Sequence, residues 1–154
     1  MAIEHVRGGR FVLTAEVELP QPLETVFPFF GDAHNLERIT PPWLAFEILT
    51  PDPIQIEEGV ELDYRLRVRG LPIRWTSRIE SWLPPHRFSD RQIRGPYRRW
   101  EHEHSFEARG TSTLARDRVE FEVRGGRIPG LLVARDVRRI FEYRRLRLLD
   151  LFAR

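Results

Sequence analysis

The chain has 154 residues, of which 41% are hydrophobic and 31% charged, and its formal net charge is only +2. It contains no cysteine, which excludes disulfides, thiolate nucleophiles and cysteine-based zinc sites. All 25 basic residues are arginine, which also excludes Schiff-base lysine chemistry and the lysine of a P-loop. The small net charge argues against a nucleic-acid partner. The length favours one domain that spans residues 1–154.

No apolar run approaches the roughly 18 residues that a membrane-spanning helix needs. The first ten residues carry Glu4, Arg7 and Arg10, and no apolar segment of a secretory signal follows them. We therefore expect a cytoplasmic protein without a transmembrane segment. No feature of the sequence specifies an oligomeric state.

The first 40 residues predict one strand and two short helices. Residues 1–9 have no pattern and are predicted to be a loose lead-in, whereas residues 11–19 alternate apolar and polar side chains as a half-buried strand does. Residues 22–30 form a short, very apolar helix. Asp32 is a suitable N-cap for a second helix that ends near Ile39.

Six strands joined by tight turns are predicted next. Their ranges are 44–50, 60–69, 73–82, 87–94, 99–107 and 112–124. Such short turns require antiparallel pairing. After Pro129-Gly130 and up to about residue 152, apolar residues recur every three or four positions, which predicts one long helix.

This order of elements predicts an α+β fold. We expect a curved antiparallel sheet of about seven strands wrapped around the C-terminal helix, with two short helices between the first and second strands. A sheet that curves around a single helix tends to leave a cavity between the two layers. That cavity is the expected ligand site.

The segment Gly95–Glu107 carries the most unusual pattern in the chain. It opens with a Gly-Pro turn, and then Trp100, His102, His104 and Phe106 alternate with polar residues. Successive side chains of a strand point to opposite faces. The inner face of this strand therefore carries two aromatic rings and two imidazoles.

A hairpin symmetric about Pro96 would align these residues with the preceding strand. The expected opposite pairs are Asp90 with His102, Gln92 with Trp100, and Phe88 with His104. Opposite side chains lie about 5 Å apart at Cβ, so Asp90 can hydrogen-bond His102. A carboxylate fixes the tautomer of an imidazole and raises its basicity, as general acid–base catalysis requires. Asp117, on the next strand, can lie near the other side of His102 or His104.

Several segments resemble a known superfamily. They are 22–27 (Pro-Leu-Glu-Thr-Val-Phe), 36–44, 75–85, 88–92 and 95–107. On these residues the chain is similar to the START-related, Bet-v-like (SRPBCC) superfamily, and most similar to its small bacterial, single-domain, polyketide cyclase/dehydrase-like branch. The resemblance covers about residues 11–152 and implies the helix-grip fold. It implies function only broadly, because this fold hosts transfer proteins, binding modules, cyclases and hydrolases.

The first functional hypothesis is a binding protein, possibly a transfer protein, for a small hydrophobic or amphipathic molecule such as a lipid, isoprenoid or aromatic polyketide. His102, His104 and Asp90 would anchor the polar end of the ligand. The other predicted ligand-binding residues are Leu62, Tyr64, Leu66, Trp75, Gln92, Trp100, Phe106, Asp117, Phe121, Val137, Ile140 and Phe141. We expect no cofactor.

The second hypothesis is an enzyme of the cyclase or dehydratase type. His102, oriented by Asp90, would remove a proton next to a carbonyl, and His104 or Tyr64 would steady the oxyanion. Three further interpretations of the two histidines stay open: pocket lining, structural packing and a metal site. A partner-binding module that uses the outer face of the sheet or the terminal helix is a third functional class.

Overall fold

The computed structural model describes residues 1–153. Eight strands and three helices follow one another along the chain. They are β1 (Ala2–Arg7), β2 (Arg10–Leu19), α1 (Leu23–Phe30), α2 (Asn35–Ile39), β3 (Glu47–Ile48), β4 (Glu61–Val68), β5 (Leu71–Leu83), β6 (Arg87–Arg94), β7 (Arg99–Arg109), β8 (Ser112–Glu122) and α3 (Arg127–Leu151). A 3-10 turn at Pro42–Leu44 precedes β3.

All eight strands form one antiparallel sheet in the order β1-β2-β8-β7-β6-β5-β4-β3. Every neighbour in this order is also a neighbour in sequence, except that β2 pairs with β8. The sheet is curved and does not close on itself, and α3 lies against its inner face. The predicted α+β helix-grip fold is therefore confirmed.

The packing of α3 explains why the structure contains a cavity. The helix packs against β2, β1 and α2, where the side chains of Phe11, Phe121 and Val137 form a solid core. A second core joins the C-terminal end of α3 to α1 through Phe27 and Leu148. The inner faces of β4 to β6 lie on the other half of the sheet, and the space between them and α3 is only partly filled.

The prediction of a loose lead-in at residues 1–9 is wrong. β1 pairs with β2, with Ile3 opposite Leu13 and His5 opposite Phe11. Nearly all its side chains are exposed, so the strand has no alternation by which the sequence would reveal it. The sheet consequently has eight strands instead of about seven.

The start of the second helix also differs from its prediction. α2 begins at Asn35, and no side chain caps its first turn. The carboxylate of Asp32 instead accepts a hydrogen bond from the backbone N–H of His34, at 3.0 Å. Asp32 therefore closes a local turn before the helix, which is a common alternative use of this residue.

Gly130 sets the distance between α3 and the sheet. A Cβ atom at this position would lie 2.6 Å from Cε2 of Phe11 on β2. The chain enters α3 through Gly125 and Gly126, whose φ angles of 93° and 89° are unfavourable for other residues. These glycines let the first turn of α3 approach the sheet closely.

None of the helices among residues 1–153 combines the length and the apolar character needed to cross a lipid bilayer.

Candidate functional site

A cavity of about 700 Å³ lies between the sheet and α3. Its volume falls within the range of small-molecule sites. Seven predicted apolar or aromatic ligand-binding residues line it, and they come from three strands and α3: Leu62, Tyr64, Leu66, Trp75, Trp100, Ile140 and Phe141. The three predicted polar residues Asp90, His102 and His104 also border it.

Five predicted ligand-binding residues do not line the cavity. Phe106 belongs to the core near α1, and Phe121 and Val137 belong to the core between β2 and α3. The side-chain amide of Gln92 donates to the carbonyl of Tyr97 at 2.8 Å and its oxygen accepts from the N–H of Tyr97 at 3.1 Å, so it closes the hairpin turn. Asp117 lies behind the two imidazoles.

Part of the cavity wall comes from residues that were not predicted. Helix α1 contributes Phe29 and Phe30, the 3-10 turn contributes Trp43, the segment before β3 contributes Phe46, and α3 contributes Arg144. The spacing of apolar residues in the sequence indicates that Arg144 is buried. This residue shares the spacing of Val137, Phe141 and Leu148, which places an arginine on the buried stripe of a helix.

The part of the cavity wall formed by β5, β7 and the turn before β7 is aromatic. The rings of Trp75, Tyr97 and Trp100 contact one another, with centroids 4.8 to 5.5 Å apart. The indole N–H of Trp75 donates to the hydroxyl of Ser77 at 2.9 Å. Because this polar atom already has a partner, Trp75 presents an apolar surface to the cavity.

The cavity reaches the surface beside the turn between β4 and β5. Arg69 and Asp136 both border the cavity there, and Nη2 of Arg69 lies 3.1 Å from Oδ2 of Asp136. On the other side, Arg139 lies over the half-exposed ring of Trp43 at 5.2 Å. The entrance is thus bordered by charged groups, whereas the interior is mostly apolar.

The predicted register of the β6–β7 hairpin is confirmed for two pairs. Asp90 lies opposite His102, and Phe88 lies opposite His104. The predicted hydrogen bond, however, is wrong. Oδ2 of Asp90 accepts from Nε2 of His104 at 3.0 Å, diagonally across the hairpin. The ring of His104 is stacked between Phe88, at 4.1 Å, and His102, at 3.6 Å, and this stacking orients it toward Asp90.

Asp117 joins the two histidines to α3. It lies opposite His104 in the β7–β8 register. Its Oδ1 atom accepts from Nε2 of His102 at 2.7 Å and lies 3.4 Å from both Nδ1 of His104 and Nη2 of Arg144. A carboxylate oxygen can accept several such donors at once. We refer to Asp90, His102, His104, Asp117 and Arg144 as the polar cluster.

The pKa values of the two carboxyl groups are lowered. Burial by itself would raise the pKa of Asp117, but the charge of Arg144 and the hydrogen bonds from His102 and His104 hold it well below its usual range. Burial opposes ionisation of Asp90 in the same way, and the hydrogen bond from His104 again lowers its pKa. Both groups are therefore carboxylates at neutral pH.

The pKa values of the two imidazoles move in opposite directions. Burial and the neighbouring charge of His104 lower the pKa of His102 to about 4, although its bond to Asp117 acts against this. Burial also acts to lower the pKa of His104, but its hydrogen bonds to Asp117 and Asp90 outweigh burial and raise it. At neutral pH, His102 is the neutral member of the pair.

Arg144 has few partners for a buried guanidinium. Its side chain is 8% exposed, and its charge lies near the rings of Phe30 and Phe141, at 5.6 and 5.9 Å. Its Nε atom is buried and has no hydrogen-bond partner among residues 1–153. An unsatisfied buried donor costs free energy, so Arg144 is held at this position at some expense of stability.

Three groups of the polar cluster have the geometry of a metal site. One potential ligand atom from each of Asp90, His102 and His104 lies within 4.8 Å of the other two. Zinc often takes three protein ligands when it is catalytic. The guanidinium of Arg144, whose Nη2 lies 3.4 Å from Nδ1 of His104, opposes a cation at this position because of its positive charge.

The polar cluster can perform acid–base chemistry. Asp117 accepts a hydrogen bond from Nε2–H of His102, which leaves Nδ1 of His102 with a lone pair. His104, stacked beside it, holds a proton more firmly. Two neighbouring titratable groups with separated pKa values are the usual arrangement for an acid and a base.

The sequence matches the family model described as "Polyketide cyclase / dehydrase and lipid transport" over residues 19–146. The chain belongs to this family. The predicted superfamily is confirmed by this match, which covers most of the chain. No significant match was found among curated proteins.

Solved structures share the fold of this family member. A protein from Chromobacterium violaceum superposes with a TM-score of 0.73 at 14% identity, over 93% of this chain and 97% of its own. The Zhui aromatase/cyclase from Streptomyces sp. R1128 gives a TM-score of 0.68 at 20% identity, over 92% of each chain. A START superfamily protein from Mycobacterium smegmatis gives 0.65 at 15% identity, over 91% of this chain and 98% of its own. At these identities the likeness establishes the fold alone.

Proposed function

We propose that this protein binds a small hydrophobic or amphipathic molecule, such as a lipid, isoprenoid or aromatic polyketide, inside the cavity between the sheet and α3. The observation that carries the proposal is the division of this cavity of about 700 Å³ into a mostly apolar wall and one polar cluster. Ligand sites typically combine a large apolar surface with a few polar groups that fix orientation. The family description, which includes lipid transport, supports the same class of ligand.

Each part of the cavity has a role in this proposal. Leu62, Leu66 and Ile140 contact the apolar body of the ligand, and the Trp75–Trp100 wall stacks against any ring it contains. Each apolar ligand atom that leaves water contributes through the hydrophobic effect, at about 25 cal/mol per Å². Asp90 and Arg144 then hold the polar end.

Native mass spectrometry of the purified protein tests the proposal. We expect a bound species of a few hundred daltons that dissociates on activation. A neutral fluorescent probe such as N-phenyl-1-naphthylamine should also bind, at one molecule per chain, with a dissociation constant in the micromolar range. Failure of both measurements would contradict the proposal.

A second candidate function is a cyclase or dehydratase type of reaction. The observation that favours it is the stacking of His102 on His104 at 3.6 Å, with pKa values moved in opposite directions. Nδ1 of His102 would remove a proton next to a carbonyl, and Asp117, instead of the predicted Asp90, would orient the ring. His104 would donate a hydrogen bond to the oxyanion.

Deuterium exchange separates this candidate from simple binding. A ketone that displaces the neutral probe is incubated with the protein in D2O, and mass spectrometry follows deuterium at its α-carbon. If the candidate is correct, exchange is faster than in buffer and is lost in His102→Gln but retained in Glu103→Gln, whose side chain is exposed on the same strand. Exchange at the buffer rate would leave a binding protein only.

A further inference from the structure

The charges of the polar cluster are balanced before any ligand arrives. Asp90 and Asp117 supply two negative charges, and Arg144 supplies one positive charge. His104 has a carboxylate at each ring nitrogen, with Asp90 3.0 Å from Nε2 and Asp117 3.4 Å from Nδ1. A carboxylate can only accept, and the two carboxylates outweigh the opposing charge of Arg144, whose Nη2 lies 3.4 Å from Nδ1. This arrangement favours a proton on both nitrogens and supplies the second positive charge.

Each positive group is already engaged with a carboxylate. Nη2 of Arg144 and Nδ1 of His104 converge on Oδ1 of Asp117, at 3.4 Å each. His102 directs one N–H to the same oxygen and stays neutral. No cation of the cluster is left over to neutralise an additional anion. An unpaired charge in a buried site costs several kcal/mol.

The group that the cluster presents to the cavity is negative. Asp90 borders the cavity with 19% of its side chain exposed, whereas Asp117 is 13% exposed and does not line the cavity. The hydroxyl of Tyr64 lies near Asp90, and burial together with the charge of Asp90 raises its pKa, so it stays protonated. A ligand that enters the cavity therefore meets a carboxylate that accepts O–H donors and repels anions.

The cluster also offers a hydrogen-bond donor. Arg144 borders the cavity with the small exposed part of its guanidinium, although its Nε atom, which has no partner among the described residues, is itself buried. A carbonyl or hydroxyl oxygen can accept from this guanidinium without adding charge. A hydroxyl group can in addition donate to Asp90.

We propose, resting on the function proposed above, that the cavity selects neutral oxygen-bearing ligands, such as alcohols, phenols and ketones, over carboxylate anions of the same size. A fatty acid in its ionised form adds a negative charge beside Asp90 and finds no free cation. The matching alcohol keeps the same apolar chain, donates to Asp90 and accepts from Arg144. The two ligands therefore differ at the polar cluster and nowhere else in the cavity.

Displacement of N-phenyl-1-naphthylamine tests this selectivity in the intact protein at pH 7.5. The competitors are dodecan-1-ol, 2-tridecanone and dodecanoate, each below its critical micelle concentration or solubility limit. We expect the alcohol and the ketone to bind at least about tenfold more tightly than dodecanoate. Dodecanoate that binds as tightly as the alcohol would overturn the selectivity while leaving the proposed binding function intact. If the neutral probe itself does not bind, the binding function fails and the selectivity fails with it.

A matched pair of variants tests whether the charge of Asp90 causes the selectivity. Asp90→Asn removes the negative charge that faces the cavity, and Glu103→Gln removes one from an exposed side chain of β7. We expect the alcohol-to-dodecanoate preference to fall about tenfold in Asp90→Asn and to stay unchanged in Glu103→Gln. Equal preferences in the two variants would show that Asp90 does not set the selectivity. The wild-type comparison of the three competitors decides the main proposal even if Asp90→Asn does not fold.

Discussion

Two consecutive residues of β8 show how strongly burial changes the dependence of a charged side chain on its ion-pair partners. Arg116 points to the outer face of the sheet, where it lies 2.8 Å from Glu107 and 3.3 Å from Glu16 in the presence of water. Asp117 points inward and is held by two imidazoles and a guanidinium. On the outer face, water replaces any partner that is lost. Inside, the side chains of Asp117 and Arg144 are almost fully buried, so each charge depends mainly on the others.

This difference indicates which face of the sheet carries the functional groups. The outer face has many Arg–Glu contacts that are each replaceable, as in the pairs of Arg65 with Glu47 and Arg91 with Glu80. The inner face has one cluster whose members cannot be exchanged singly. The predictions below test this contrast, from the largest expected effect to the smallest.

Removing the charge of Asp117 should have the largest effect on stability. Asp117→Asn leaves the buried charges of Arg144 and His104 with Asp90 as their only carboxylate in the cluster, so we expect the free energy of unfolding to fall by about 3–5 kcal/mol. Equilibrium urea denaturation measures this change. Glu107→Gln makes the same chemical change on the outer face and serves as the control. Equal effects in the two variants would remove the contrast between the faces.

Removing the positive partner as well should restore part of that loss. In Asp117→Asn/Arg144→Met the buried guanidinium is absent, so the double variant should be more stable than additivity of the two single variants predicts, by about 1–3 kcal/mol. A double-mutant cycle in urea gives this coupling energy. Strict additivity would show that Asp117 and Arg144 do not act as a pair.

Changes of pH should affect the buried cluster through its two histidines. In the folded protein the pKa of His102 is about 4, below its usual value of 6.5, so the unfolded chain gains a proton first and stability should fall as pH drops from about 6.5 toward 4. The pKa of His104 is raised by Asp117 and Asp90, so its contribution is complete below pH 6.5 and should be lost as pH rises through its folded pKa.

The groups that face these two imidazoles are Asp90 from β6, Asp117 from β8 and Arg144 from α3, with the hydroxyl of Tyr64 near Asp90. NMR titration of the imidazole protons should give separate pKa values for His102 and His104, one below and one above 6.5. Denaturation between pH 4.5 and 8.5 should show a maximum of stability between these values. Two imidazoles that titrate together near 6.5 would contradict the assignment.

Removing Arg116 should have the smallest effect. Arg116→Ala deletes two outer-face ion pairs, but Glu16 and Glu107 then regain full hydration. We expect a urea midpoint within experimental repeat error of the wild type, at low and at high salt. A loss comparable to that of Asp117→Asn would show that the outer pairs are not replaceable.

The sequence predicted the fold and the facing of the strands well, because both follow from local patterns. Period-two alternation identified the inner face of β7, and the turn at Pro96 placed Asp90 opposite His102. β1 was missed because its side chains are nearly all exposed and do not alternate. Alternation of apolar and polar residues reflects the burial of one face of a strand. A strand that buries few side chains therefore has no such alternation in its sequence.

The site was only partly predictable. An inward-facing side chain can line the cavity or pack in the core, and the sequence pattern does not distinguish the two. Phe106, Phe121 and Val137 point inward as expected but pack against other side chains. The partner of Asp90 depended on ring stacking of His104 against Phe88, which register alone does not give. The spacing places Arg144 on the buried stripe of α3, but arginine is rarely buried, so this pattern alone does not assign it to the site.

The most direct test of the central claim is whether occupying the cavity with a side chain prevents binding of the neutral probe. Ile140 borders the cavity on α3, whereas Leu146 on the same helix is 62% exposed and does not. Titration with N-phenyl-1-naphthylamine should show binding to the wild type and to Leu146→Trp, and at least tenfold weaker binding to Ile140→Trp with an unchanged circular dichroism spectrum. Equal binding to all three proteins would contradict a ligand site between the sheet and α3.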